Sequence, residues 1–270
     1  MTDPFRIEGP AVLSVSGGRT SGLMLRRVMD AHGGALPSDV VPVFCNTGRE
    51  FPATLDFLRD IGERWGVRIV WLERTGRRLF REVTHATAAR DGEPFEELIR
   101  ERKYLPNPSA RFCTTALKIE TAIAYARSLG WETWTDAVGL RADEPARVAK
   151  RRASNATDAT RTTVCPLATA GITRADVDAF WRTQPFDLRL QPGESNCDLC
   201  FMKGWRLRQR IVADHPKASA WWERMEADLG ARFHRDAPPY ASIARAAASQ
   251  ARMLPVIQPA EESLDCGCTE

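Results

Sequence analysis

The stretch AVLSVSGGRTSGLMLRRVMDA, residues 11–31, decides the fold. Residues 11–15 are a short apolar run of the kind a sheet buries on both faces, and Gly17 and Gly18 follow almost at once. Across residues 21–31, Leu23, Met24, Leu25, Val28 and Met29 recur at helical spacing. A buried strand, a glycine turn and an amphipathic helix in succession predict the first half of a βαβ unit.

The alternation continues along the first half of the chain. Residues 40–45 read as a second buried strand, and Pro52 opens a helix with Leu55, Leu58, Ile61 and Trp65 on one face. Residues 68–72 and 133–140 supply two more strands, with a helix over residues 115–128 between them. Right-handed crossovers then predict an α/β fold: a Rossmann-like parallel sheet of about five strands with helices on both faces. From Thr173 the pattern turns helical, and ASNATDATRT at 153–162 predicts a mobile surface loop. The expected organisation is an α/β domain over 1–165, a helical region over 166–255 packed on it, and a flexible cysteine-containing tail over 256–270.

Composition narrows the function classes. The 270 residues are 43% hydrophobic and 27% charged, ordinary for a globular protein, and no apolar run is long enough to span a membrane. The first ten residues have no apolar signal region, so a cytoplasmic location is expected. A formal net charge of +3 does not single out nucleic acid as a partner, and the basic runs RVAKRR (147–152) and KGWRLRQR (203–210) also suit solvated helix faces. The oligomeric state is left open, a homodimer included. Seven cysteines are many for such a chain, where clustered thiols more often bind metal or do redox chemistry than form disulfides.

Ligands of open parallel sheets bind beyond the carboxyl ends of the strands. There the chain places Ser16-Gly17-Gly18-Arg19-Thr20-Ser21, Asn46-Thr47-Gly48 and Gly139-Leu140-Arg141. The glycines let the backbone approach an anion, the following helix presents its positive end, and Ser16, Thr20 and Ser21 add hydroxyl donors. A plain strand-to-helix turn is the alternative, and the Gly-Lys-Ser/Thr ending of a Walker loop is missing. Arg141 is placed to fork onto a phosphate, or else to pair with Asp143 or Glu144. Lys118 is placed to neutralise a second phosphate. Glu50 suits either a magnesium ion or a helix N-terminus.

These segments together resemble the phosphoadenosine phosphosulfate (PAPS) reductase family of the PP-loop adenine nucleotide α-hydrolase superfamily. The resemblance rests on SVSGGRTS (14–21), FCNTGRE (44–50), RFCTTALKIE (111–120), GLRADEP (139–145), PLATAGITRADVDAFWRTQPFDL (166–188) and NCDLCFMKG (196–204). It implies an adenine nucleotide, ATP or PAPS/APS, held by residues 16–21, Asn46, Thr47, Gly48, Lys118, Gly139 and Arg141. Reductases of activated sulfate usually have a degraded glycine loop. The intact Ser-Gly-Gly is more like the branch that cleaves ATP to pyrophosphate, with Mg2+, and so favours adenylation-dependent sulfur transfer over sulfonucleotide reduction.

Cys197-Asp-Leu-Cys200 precedes a helix, and Cys113 neighbours Arg111, which favours a thiolate. The pair suits a metal centre, a redox couple or two buried thiols. In the family that Cys113 and the CxxC resemble, these cysteines hold an iron–sulfur cluster, so a 4Fe-4S cluster is implied, with Cys165 the fourth candidate ligand. Cys45 is the second choice, and zinc is the alternative metal. Cys266 and Cys268 close the chain in a motif similar to the tail nucleophile of sulfonucleotide reductases, whose reaction is completed by a thioredoxin-like reductant. The sulfur-transfer reading needs a sulfur donor instead. A non-catalytic nucleotide-binding subunit of a nucleic-acid modification or phage-defence complex is the third expectation. The tryptophans at 131, 134, 181, 205, 221 and 222 read as packing residues, and the four histidines form no ligand-spaced group.

Overall fold

The apolar run after Pro10 becomes strand β1 (Ala11–Ser14), buried between two parallel neighbours, β2 (Val40–Asn46) and β5 (Trp134–Val138). The computed structural model describes residues 3–195 and 197–251. Its six-stranded sheet has the order β4-β3-β2-β1-β5-β6, with β3 at Val70–Gly76, β4 at Leu79–Val83 and β6 at Arg161–Val164. Every pairing is parallel except β3 with β4, so five parallel strands carry one antiparallel edge.

Two strands were absent from the sequence expectation, and both are edges. β4 is mostly exposed and pairs back on β3 through a tight turn, so it shows no apolar run. β6, Arg-Thr-Thr-Val, falls at the end of the segment expected to be a mobile loop. Polar contacts hold it instead: Asn155 brackets Thr163 with bonds of 2.9 and 2.8 Å, and Asp158 Oδ1 accepts from the Thr160 and Arg161 N–H groups. β3 runs past the expected end at Leu72 because Glu73 and Arg74 are buried with partners, Glu73 accepting from Asn46, Ala89 and Arg81.

Helices α1 (Arg19–Ala31), α2 (Pro52–Trp65) and α8 (Arg174–Arg182) cover one face of the sheet. α5 (Glu120–Ser128) covers the other, through Tyr125 and Ala126 against Val12, Val43 and Leu72. It continues a short helix α4 (Phe112–Thr114) through a π-helical turn at Thr115–Ile119. α3 (Glu93–Arg102) and α6 (Pro145–Ser154) flank the sheet, and α7 (Pro166–Thr169) follows β6.

The helices after residue 166 divide between two cores. Leu167, Val177, Trp181 and Phe186 join the core under α1 and α2. α9 (Trp205–Asp214), α10 (Ser219–Leu229) and α11 (Tyr240–Ala251) pack instead with Phe95, Leu98 and Ile99 of α3 and Leu117 of the π turn. The tail with Cys266 and Cys268 lies outside the described residues.

Trp181 ties α8 to the glycine loop. Its indole stacks on Trp65 at 5.8 Å, packs against Phe57 and Phe186, and donates to the Arg19 carbonyl at 2.8 Å. A methyl on Gly22 would stand 2.8 Å from its ring, so the helix that follows the glycine loop rests directly on this indole. Trp181→Ala should therefore destabilise the fold by ~3–5 kcal/mol, read as a lowered urea midpoint.

Candidate nucleotide and thiol site

Strand order reverses on either side of β1, which makes its carboxyl end the switch point where open α/β sheets bind ligands. Residues 16–18 leave β1 there and enter α1. Gly17 has φ +82°, and a Cβ on it would lie 2.4 Å from the Thr54 methyl, so only glycine fits. Ser21 Oγ accepts from the Ser16 N–H at 3.1 Å and donates to the Gly18 carbonyl at 3.0 Å, which fixes the loop's curvature. No acidic residue occupies the first turn of α1, so its positive end is uncompensated.

The Arg19 guanidinium does not face this loop. It makes a bidentate pair with Asp187, at 2.7 and 2.5 Å, so what Arg19 offers an anion is its backbone N–H. Arg141 takes the ion-pair alternative. It is buried and paired with Asp143 (2.9 Å) and Glu144 (3.3 Å), yet its Nη1 also reaches Thr20 Oγ1 at 3.4 Å. Gly139 lets β5 approach α1 closely, since a Cβ there would be 3.1 Å from the Ser21 Cα.

A cleft opens beside the loop. Its lining includes Ser14 and Ser16 of the β1 end, Cys45 of β2, Lys118 of the π turn, Asp136 of β5 and Arg161 of β6. Sequence reading missed Ser14, Asp136 and Arg161 because none lies in a strand-end loop; the alternation of β1 and β5 is the signal that turns Ser14 and Asp136 to one face. Burial pushes the Cys45 thiol up to about 12, against the pull of Lys118, and its Sγ donates to the Lys118 carbonyl at 3.4 Å. Cys45 is thus a protonated residue of this cleft.

The Asn46, Thr47 and Gly48 side chains and backbone turn inward. Asn46 is fully buried, donating to Glu73 (2.7 Å) and the Ala89 carbonyl (2.9 Å) while accepting from the Gly48 N–H. Thr47 gives its N–H and hydroxyl to the Glu50 carboxylate. Burial pushes the Glu50 carboxyl above its ordinary range, opposed by Lys118 and by those bonds. This loop reaches the cysteines: Glu50 pairs with Cys197 in an isolated antiparallel bridge, and the Asp198 N–H donates to the Arg49 carbonyl at 2.8 Å. Thr47 Oγ1 stands 4.0 Å from Cys197 Sγ.

Cys113, Cys197 and Cys200 line one cavity together with Thr47, Arg111 and Lys118. Cys165 is elsewhere. It packs with Val138, Leu140 and Val148, and burial raises its thiol. The four-cysteine set expected from the sequence is therefore corrected to three thiols on one cavity. Among the described residues, no three His, Cys, Asp or Glu side chains form a group that could hold a metal ion.

Lys203, which opens the basic run 203–210 read as suiting a solvated helix face, is instead buried and holds the cysteine loop. Its buried ammonium donates to the carbonyls of Cys197, Asp198 (2.7 Å) and Ser195 (3.4 Å). Arg49 pairs with Asp198 in the interior, lies over Trp221 at 5.3 Å, and donates to the Ala218 carbonyl at 3.1 Å. Asp198 also accepts from Trp222 Nε1 at 2.9 Å.

A six-stranded α/β sheet with a glycine loop at its switch point defines the class. The chain belongs to the phosphoadenosine phosphosulfate reductase domain family, whose model matches residues 10–187. It is 28% identical over 204 residues to the uncharacterized nin region protein ORF290 of Escherichia phage lambda, covering 71% of this chain and 66% of that relative. Solved structures of similar fold include a PAPS reductase from Candida auris in a phosphate complex (16% identity, TM-score 0.44, 73% of this chain and 87% of that one). Another is the U34-tRNA thiolase NcsA from Methanococcus maripaludis with its [4Fe-4S] cluster (13% identity, TM-score 0.44, 98% and 81%). Family members are enzymes.

Breaking one side of the buried Arg49–Asp198 pair strands the other charge. Arg49→Met and Asp198→Leu should each destabilise by ~3–5 kcal/mol. The double variant should lose clearly less than the sum, read from urea unfolding; strict additivity would remove the coupling between the two loops.

Proposed function

We propose that this chain is an adenine-nucleotide-dependent enzyme of sulfur chemistry. In this reading, residues 16–21 hold the phosphates of ATP while Cys113, Cys197 and Cys200 handle sulfur or electrons. The observation that carries it is Lys118, which lines both the cleft beside the glycine loop and the thiol cavity. A single ammonium at that position serves a phosphate on one side and a thiolate on the other.

The reaction favoured is adenylation-dependent sulfur transfer. An oxygen of the acceptor bonds to the α-phosphorus as the bond to the bridging oxygen breaks, and pyrophosphate leaves. A donor's sulfur then replaces the adenylated oxygen, releasing AMP. The chain's contribution is preorganised charge: the N–H groups at the start of α1, Arg141 through its contact with Thr20, and Lys118 all face charge that grows during the first step. Mg2+ would enter as the counter-ion of ATP.

The three thiols are the donor set for the 4Fe-4S cluster that the family resemblance implies. Each iron of a cubane takes its own ligand, so three thiolates spread around a shared cavity are compatible with it. Cys113, Cys197 and Cys200 would hold it, and when bound it would supply an open iron for sulfur or a store of electrons. Arg111 lines the same cavity and adds positive charge beside the thiolates.

A second reading is favoured by the family's own description: reduction of PAPS or APS. There Cys266 or Cys268 would attack the sulfonate sulfur, displacing the nucleotide's 5′-phosphate. A thioredoxin-like dithiol would then release sulfite and leave as a disulfide. Incubation separates the two. AMP and pyrophosphate from ATP, with Cys266→Ser and Cys268→Ser retaining activity, support sulfur transfer. Sulfite from PAPS, abolished by those substitutions, supports reduction, and nucleotide binding without turnover removes both.

The cluster has its own test. Anaerobically purified protein should carry iron and a visible absorption band. Cys113→Ser, Cys197→Ser and Cys200→Ser should each lose most of both, while Cys165→Ser keeps them. Iron-free protein, or equal loss in Cys165→Ser, overturns the assignment.

A further inference from the structure

One partly buried carboxylate in the cleft beside the glycine loop has no part in that loop. Asp136 Oδ1 accepts from Ser14 Oγ at 3.1 Å, and Oδ2 from Arg161 Nη1 at 3.4 Å. Both Ser14 and Asp136 line the cleft that also takes in Ser16, the first residue of the glycine loop. Ser14 lies two residues from Ser16 along an extended chain, a reach of at most roughly 7 Å. That is the scale separating a nucleotide's 5′-phosphate from its ribose hydroxyls.

The polar partners of this corner are specific. A carboxylate beside a hydroxyl accepts hydrogen bonds from vicinal sugar hydroxyls, the use that dinucleotide-binding sheets make of an acidic residue. It also repels a phosphate ester at the same place. Arg161 does not cancel that charge alone, because it is shared with Asp158, whose carboxylate it meets at 2.9 Å. Burial raises the Asp136 carboxyl, while Arg161 and the Ser14 hydrogen bond hold it down.

We propose that Ser14 and Asp136 form a ribose subsite that accepts free 2′- and 3′-hydroxyls and disfavours a 3′-phosphate. The site then selects ordinary adenine nucleotides such as ATP over their 3′-phosphorylated relatives. This inference rests on the reading of residues 16–21 as a nucleotide-phosphate site. Arg151 and Arg161 line the same cleft and define the contrary case, in which Arg161 leaves Asp136 to meet a 3′-phosphate.

Calorimetric titration of the full chain with AMP, 3′-deoxy-AMP and adenosine 3′,5′-bisphosphate tests it, since all three share the 5′-phosphate. AMP should bind about tenfold tighter than either of the others, the worth of one hydrogen bond to a charged group. Asp136→Asn should shrink the gap between AMP and the bisphosphate, and Ser14→Ala should weaken AMP while leaving 3′-deoxy-AMP nearly unchanged. If Asp136→Asn fails to fold, the wild-type series still decides. A bisphosphate that binds as tightly as AMP or tighter overturns the inference alone. No binding of any of the three overturns the phosphate-loop reading with it.

Discussion

The buried pair of Arg49 and Asp198 joins two loops that are 149 residues apart in the chain, and the arrangement of the site depends on it. Two charges in the interior are tolerated only when they meet each other and have further partners. Arg49 has the Trp221 ring and the Ala218 carbonyl; Asp198 has Trp222 and the Leu199 N–H. Neither loop can move without stranding a charge. The β2–α2 loop and the cysteine loop are therefore held in one register, and the Glu50–Cys197 bridge and the Thr47–Cys197 approach follow from it.

The second core houses this pair through Trp221 and Trp222. α9, α10 and α11 bring Leu199, Phe201, Trp222, Phe233 and Tyr240 against α3 and the π turn, and this is where Lys203 and Asp198 find their buried setting. The cluster is thus more than a helical appendage. It presses the CxxC segment onto the carboxyl edge of the sheet, and the π turn carries Lys118 between the cleft and the thiol cavity. Extra backbone in a helix re-aims a side chain without ending the helix, a device that recurs at functional sites.

Much of the sheet was legible because buried parallel strands are written as apolar runs, as in β1 and β2, and because the Gly17 turn admits no other residue. β6 escaped, since an edge strand of Arg-Thr-Thr-Val is held by Asn155 and Asp158 rather than by apolar burial. Within the site, the loop residues were found where topology puts them. Asn46 and Thr47 were found for a reason that the structure redirects: their polar groups organise the loop internally. The choice of Cys165 as fourth ligand went astray because a cysteine before a proline reads alike whether it faces a cavity or the packed end of β5.

The sequence by itself determined the alternation of strand and helix, the glycine loop and the family, because each is written in short-range spacing of residue types. Only the tertiary structure decided which cysteines share a cavity, where the Arg19 and Arg141 guanidiniums point, and that Asp136 faces the cleft beside the glycine loop. Those outcomes turn on partners more than a hundred residues apart, Arg19 with Asp187 and Ser14 with Asp136. Burial and charge pairing choose among such distant partners only once the chain has closed, and no local pattern encodes the choice.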